Sequence, residues 1–260
     1  MKIALVDSGI GLLPAATALR RRRPDAALVL SSDPASMPWG PRASADIAAH
    51  ALACARAAVE LAPDALIVAC NTATVHALPA LRAELEPAVP VIGTVPAIKP
   101  AAADGGPVAV WATPATTGSP YQRRLITEFA AGVEVTEVPC HGLADAVEQA
   151  DEAAIDAAVQ AAAALTPPGV RAVVLGCTHY ELVAGRILAA LRRPGGPEPR
   201  LHGSADAVAA QALRRLPSAP ALPALEAGDL VVLHTGHRVA LPAAALAYAE
   251  GRGLAAPISA

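Results

Sequence analysis

The strongest constraint on how this chain can fold is a pattern that occurs twice: a short β-branched apolar run, then a thiol, then hydroxyl-bearing residues that open a helix. In the first copy, Ala65 to His76 reads ALIVACNTATVH. Leu66 to Ala69 has the continuous apolar character of a strand in a parallel sheet covered on both faces. Cys70 ends that run, and Asn71, Thr72 and Thr74 are types that bond the free N–H groups of a helix's first turn. In the second copy, Ala172 to Leu182 reads AVVLGCTHYEL, with Cys177 after Gly176, and Thr178 and His179 at a helix start. The repetition predicts two similar α/β halves. Each presents one thiol at the carboxyl end of a strand, where ligands bind in open parallel sheets.

A thiol at that junction lies near the positive end of a helix dipole, which favours thiolate and lowers a pKa otherwise near about 8.5. The free amides beside it can hold a carboxylate. Two thiols facing each other across a ligand make a two-base site. His179, two residues after Cys177, is placed to act as its acid or base partner and to help ionise it. Cys-x-His is also half a metal site, but no second ligand pair of suitable spacing follows, so no metal is expected. The other two cysteines read as core: Cys54 on an amphipathic helix around Ile47 to Leu61, and Cys140 after the strand VEVTEV. With no CxxC pair the four do not form a disulfide framework.

Composition narrows the function classes. The chain has 260 residues, enough for one or two domains, and is 54% hydrophobic but only 2% aromatic, so its core must be built from Ala, Val and Leu. A net charge of −3 with interspersed signs argues against a nucleic-acid surface or a membrane patch. The one basic cluster, Arg20 to Arg23, closes the first helix before Pro24, where cations offset the negative helix end. No apolar run is long enough to span a bilayer, and Asp7 interrupts the only stretch that could imitate a signal peptide. A soluble, cytoplasmic protein is expected.

Along the chain, Lys2 to Val6 is the first strand, and Asp7, Ser8, Gly9, Ile10 and Gly11 turn into a helix from Leu13 to Arg22. The Asp7 carboxylate points into the same crevice as Cys70, where a general base or its orienting partner is wanted. Ala27 to Ser31 is a strand, followed by the Pro- and Gly-fixed loop Asp33 to Arg42 and a helix from Ser44 to Leu61. A helix from Val75 to Leu85 and the strand VPVIGTV complete the first half. The second half has strands at Pro107 to Ala112 and Val133 to Val138 and a hydroxyl-rich turn at Thr113 to Gly118. Its helices are Pro120 to Phe129, a stretch from Gly142 that contains Glu148, and Glu152 to Leu165. A helix from Ala205 to Leu216, the strand LVVLH and a last helix from Pro242 to Glu250 return to the first half. The expected domains are residues 1–97 with 206–260, and 98–205.

Six motifs, DSGIG at Asp7, MPWGPR at Met37, ACNTAT at Ala69, GTVPAIKPA at Gly93, ATPATTGSPY at Ala112 and LGCTHYEL at Leu175, carry a resemblance. In these and in their order, the chain resembles the glutamate racemases of the cofactor-independent aspartate/glutamate racemase superfamily. The resemblance implies two pseudo-symmetric α/β domains, each a mostly parallel sheet flanked by helices, with the active site in the cleft between them. It implies racemisation of glutamate, with no cofactor and no metal, supplying D-glutamate for peptidoglycan and so for the cell wall and cell shape. Cys70 would act on the D-isomer and Cys177 on the L-isomer, with Asp7 assisting the first and Glu148 and His179 the second. Asp7, Ser8, Trp39, Gly40, Asn71, Thr72, Thr178 and His179 would hold the amino acid, and a homodimer is left open. Sister enzymes acting on aspartate, hydantoins or maleate, or a binding or regulatory member without turnover, are the alternatives. Three positions depart from the family pattern: Trp39 replaces a tyrosine, Leu12 a glycine, and Gly203 a common aspartate.

Overall fold

Runs of Val, Ile, Leu and Ala without alternating polar positions fold here as strands buried on both faces. The computed structural model describes residues 1–193, 195–196, 198–216 and 228–256. The strands are β1 (Lys2–Asp7), β2 (Ala27–Ser32), β3 (Ala65–Val68), β4 (Val91–Gly93), β5 (Val108–Ala112), β6 (Val135–Pro139), β7 (Ala172–Leu175), β8 (Arg200–His202), β9 (Leu230–His234) and β10 (His237–Val239). The helices are α1 (Leu13–Arg22), α2 (Ser44–Val59), α3 (Asn71–Leu85), α4 (Ile98–Ala103), α5 (Pro120–Phe129), α6 (Leu143–Gln149), α7 (Glu152–Leu165), α8 (Ala184–Leu191), α9 (Ala205–Arg215), α10 (Ala243–Leu246) and α11 (Ala249–Ala255). The chain divides into two compact units, Met1–Val95 with Ala205–Ala260, and Pro96–Ser204.

In the first unit the described strands form one sheet in the order β10-β9-β2-β1-β3-β4, parallel except for the edge strand β10. In the second unit they form a fully parallel sheet in the order β6-β5-β7-β8. The two orders share one plan. The first strand of each unit sits between the second and the third, so the winding direction reverses between β1 and β3 in one sheet and between β5 and β7 in the other. The carboxyl ends of those strand pairs are the places where open α/β sheets bind ligands.

Small side chains set the packing between sheet and helices. Ala51, Ala55 and Ala58 of α2 and Ala73, Ala77 and Leu81 of α3 join Ala4, Val6, Leu66 and Val68 of the sheet in one apolar cluster. The second unit's cluster unites Val108, Val110, Ala172 and Val174 with Ile98 and Ala101 of α4. With few aromatics to fill space, close approach of alanine faces keeps such a core dense. The arginine run also serves structure: Arg20 donates to the carbonyls of Pro24 and Gly228, Arg21 and Arg22 reach Asp206 of α9, and Arg23 pairs with Asp25.

Two local expectations are corrected. The helix expected over Pro242 to Glu250 is split into α10 and α11, because Tyr248, buried, takes an extended backbone (φ −97°, ψ 152°) that no helix accepts. The residues after Cys177 form a 3-10 turn, Thr178–Val183, in place of an α-helical start. The Tyr180 amide bonds the Cys177 carbonyl at 3.1 Å, and Val183 leaves helical geometry before α8 begins.

Candidate active site

In the first unit, β1 and β3 are paired with Val6 opposite Val68, so Asp7 and the Ala69–Cys70 step leave the sheet side by side. Asp7 is fully buried, and its Oδ1 accepts the Ser8 hydroxyl and the Gly9 amide, both at 3.2 Å. Cys70 is itself the N-cap of α3. Its Sγ accepts the Ala73 amide at 3.5 Å, and its carbonyl accepts the Thr74 amide at 2.9 Å. A sulfur in that position takes up one of the orphan donors of the first turn at the positive end of the dipole, an arrangement that favours thiolate. Thr74, read from the sequence as part of the cap, instead donates its hydroxyl to the Val68 carbonyl and accepts the Thr94 amide, which ties β3, α3 and β4 together. Asn71 is buried beside Cys70 and Thr72 is half-buried.

Trp39 and Gly40 lie in the loop between β2 and α2. The structure packs Trp39 into the first unit's core, 1% exposed, in the apolar cluster that also includes Cys70, with its ring stacked on His50 at 6.3 Å between centroids. Burial of a large flat apolar face favours this packing. The indole N–H is buried without a hydrogen-bond partner.

The second unit repeats the placement with different chemistry. Trp111 of β5 is opposite Leu175 of β7, so Cys177 follows its strand at the same step as Cys70 follows β3, while Ala112 takes the place equivalent to Asp7. No carboxylate stands at that step. The polar partner comes from the turn and from α6: Cys177 Sγ is 3.8 Å from His179 Nδ1, and His179 Nε2 is 3.0 Å from Glu148 Oε2. His179 is buried and Glu148 nearly so, which makes the Cys–His–Glu chain a directed path between a half-exposed thiol and a carboxylate. Thr178 is buried next to Cys177. Gly176 permits the close crossing of β5 and β7, since a Cβ there would lie 2.8 Å from the Trp111 carbonyl that accepts its amide.

The sequence reading gave no role to Tyr180 or Glu137. Tyr180 is fully buried and its hydroxyl donates to the Cys140 carbonyl. Burial, with the Cys177 and Cys140 thiols close by, holds its phenol well above the ordinary value. Cys140 is pushed up to about 12, by burial first and by Cys177 second, and burial does the same to Cys54, so both remain neutral thiols. Glu137 accepts the Gly118 amide and the Gln122 side chain and so fixes the hydroxyl-rich turn. At Gly203 a side chain would overlap the Glu181 carboxylate, which accepts both the amide and the hydroxyl of Ser204. In this chain a carboxylate from the Cys177 turn occupies the space that a side chain at 203 would need.

Residues 14–197 match the family model described as Asp/Glu/Hydantoin racemase. The chain belongs to this family. A glutamate racemase of Roseiflexus sp. (strain RS-1) is 38% identical over 215 residues, 80% of this chain and 76% of that protein. One from Herpetosiphon aurantiacus is 33% identical over 240 residues, 90% and 92% of the two chains. The crystal structure of Escherichia coli glutamate racemase, in complex with L-glutamate and the activator UDP-MurNAc-ala, superposes with a TM-score of 0.79 at 28% identity, covering 95% of this chain and 91% of that one. This member of the racemase family is therefore an isomerase by kinship, with the two-domain α/β fold of its relatives.

Proposed function

We propose that the protein interconverts L- and D-glutamate by a two-base mechanism in which Cys70 and Cys177 are the bases. The observation that carries this reading is the equivalence of the two thiols: in sheets of the same strand order, each stands two residues beyond the third strand, at the switch point. The names of the relatives and the L-glutamate bound by the Escherichia coli protein support the substrate.

In the L-to-D direction the Cys177 thiolate removes the α-proton, leaving a carbanion delocalised into the α-carboxyl group, and the Cys70 thiol delivers its own proton to the opposite face. The two thiols thereby exchange protonation states and the proton count is unchanged. His179, backed by Glu148, supports the Cys177 thiolate; Asp7 and the α3 amides support Cys70. Ser8, Trp39, Gly40, Asn71, Thr72 and Thr178 hold the amino acid. Both proton transfers are within the reach of protein groups, and we assign the reaction no cofactor or metal. The product serves peptidoglycan synthesis in the cytoplasm; no helix among the described residues is long and apolar enough to cross a membrane.

The test is incubation of the purified protein, dialysed against a chelator, with each isomer of glutamate and aspartate in D2O, following optical rotation and α-deuterium. Racemisation with deuterium uptake from both glutamate isomers is expected, and Cys70→Ala and Cys177→Ala should each abolish racemisation. Turnover of aspartate alone, of none of the four, or undiminished turnover in either variant refutes the proposal.

A further inference from the structure

The loop that carries Trp39 and Gly40 is closed by a chain of side chains that the proposed reaction does not use. Asp33 precedes the loop and is 3% exposed, so its carboxylate must be compensated by donors. Thr235 supplies one to Oδ1 at 3.0 Å, and His50 Nδ1 meets Oδ2 at 2.8 Å. The other ring nitrogen of His50 is 3.3 Å from Asp46 Oδ1, and Asp46 Oδ2 accepts Arg42 at 2.8 Å. Arg42 ends the loop, and its Nε also donates to the Ser36 carbonyl within it. The sequence Asp33, His50, Asp46, Arg42 thus joins the two ends of residues 34–41 through one imidazole.

That imidazole is also the surface on which Trp39 rests. With a carboxylate oxygen beside each ring nitrogen, the His50 ring has one orientation that keeps both contacts. The indole lies against it at an interplanar angle of 28°. The ring plane therefore sets the indole plane, and Gly40 follows Trp39 directly in the chain. His50 belongs to α2, a helix anchored in the core by Ile47, Ala51 and Cys54, so the platform is rigid where the loop is not regular.

We infer that His50 is a positioning residue for substrate binding: a doubly tethered platform that sets Trp39 and Gly40 for the amino acid. The inference rests on the reading that these two residues hold the substrate. Its test uses the fact that the chain has only two tryptophans. In a Trp111→Phe background the emission comes from Trp39 alone, and acrylamide quenching reports how well the core covers it.

His50→Gln keeps a donor but loses the ring; His50→Phe keeps the ring but loses both tethers. In each, quenching of Trp39 should rise severalfold. KM for glutamate should rise about tenfold, the scale of one hydrogen bond, while kcat stays within about threefold. Circular dichroism identifies which variants are folded, and either folded variant decides. Unchanged quenching with unchanged KM overturns the inference, and so does a change in one without the other. If the wild-type protein does not act on glutamate, the proposed function fails, whereas Trp39 quenching in the His50 variants still decides whether the platform exists.

Discussion

Glu148→Gln tests the carboxylate–imidazole pair beside Cys177. The variant keeps the shape and a hydrogen bond to His179, but exchanges a bond to a charged group for a neutral one. Bonds to charged groups contribute about 1.5–3 kcal/mol and neutral ones about 0.5–1.5. The 3.0 Å contact is well formed and His179 is almost wholly buried, so little of the difference is lost to solvent screening. A loss of about 1–2 kcal/mol of transition-state stabilisation follows, which is roughly 5- to 30-fold in kcat/KM.

The direction dependence is where the reasoning is exposed to refutation. Enantiomers have equal free energies in water, so kcat/KM for the L- and D-isomers must remain equal in every variant, and a fall in one direction only would signal an artefact. What can differ is which proton transfer limits. If Glu148 and His179 serve Cys177, and Cys177 acts on the L-isomer, raising that barrier makes the transfer at the L-face limiting. The primary isotope effect on kcat/KM with α-deuterated L-glutamate should rise towards its full value, and that with α-deuterated D-glutamate should fall. Polarimetry or circular dichroism with both deuterated isomers measures this. An opposite shift assigns the faces the other way, and no loss of kcat/KM in Glu148→Gln refutes the Cys–His–Glu path itself.

Two further outcomes follow from packing and burial. Gly176→Ala places a methyl 2.8 Å from the Trp111 carbonyl and 3.2 Å from Ala112 Cβ, where both neighbours belong to a sheet strand; overpacking of about 1–3 kcal/mol should lower the thermal midpoint, and displacement of the adjacent Cys177 should reduce activity even below that midpoint. A thermal midpoint equal to wild type would show that β5 yields. Cys54 and Cys140 ionise near 12 when folded against an ordinary 9.0. As pH rises through that interval the unfolded chain loses these protons first, so their contribution to stability, fully present below 9.0, declines towards 12. Urea midpoints measured at neutral and alkaline pH should show the decline, and the Cys54→Ala/Cys140→Ala variant should show less of it.

What could be read from the sequence was whatever local chemistry determines. The strand runs, the placement of Cys70 and Cys177 at strand ends, and the nearness of His179 to Cys177 follow from spacing alone. Their bounds are close to those observed: α1, α5 and α7 match the expected ranges, and β3 begins one residue earlier than the apolar run. What failed depended on partners distant in sequence. Thr74 is diverted from capping by Thr94, the residue that follows β4, and the cap falls to Cys70 itself. The short edge strands β8 and β10 have polar sequences, RLH and HRV, that only pairing with β7 and β9 turns into strands. Glu181 at the Gly203 step is legible only once β8 places the two together.

The asymmetry of the two thiol environments has a physical logic within an otherwise repeated architecture. At the equivalent step of the two sheets one half has Asp7 and the other Ala112, so a carboxylate beside the thiol was not duplicated. In the first half the thiol caps a full α-helix and receives an amide directly, and the nearby carboxylate is held by a hydroxyl and an amide. In the second half the turn after Cys177 is 3-10, no cap bond reaches the sulfur, and an imidazole with its own carboxylate takes that place. A helix dipole and an imidazole are alternative ways to stabilise a thiolate. For the proposed two-base reaction, substrate isomers of equal energy and opposite hand ask for bases of matched strength and not of matched construction.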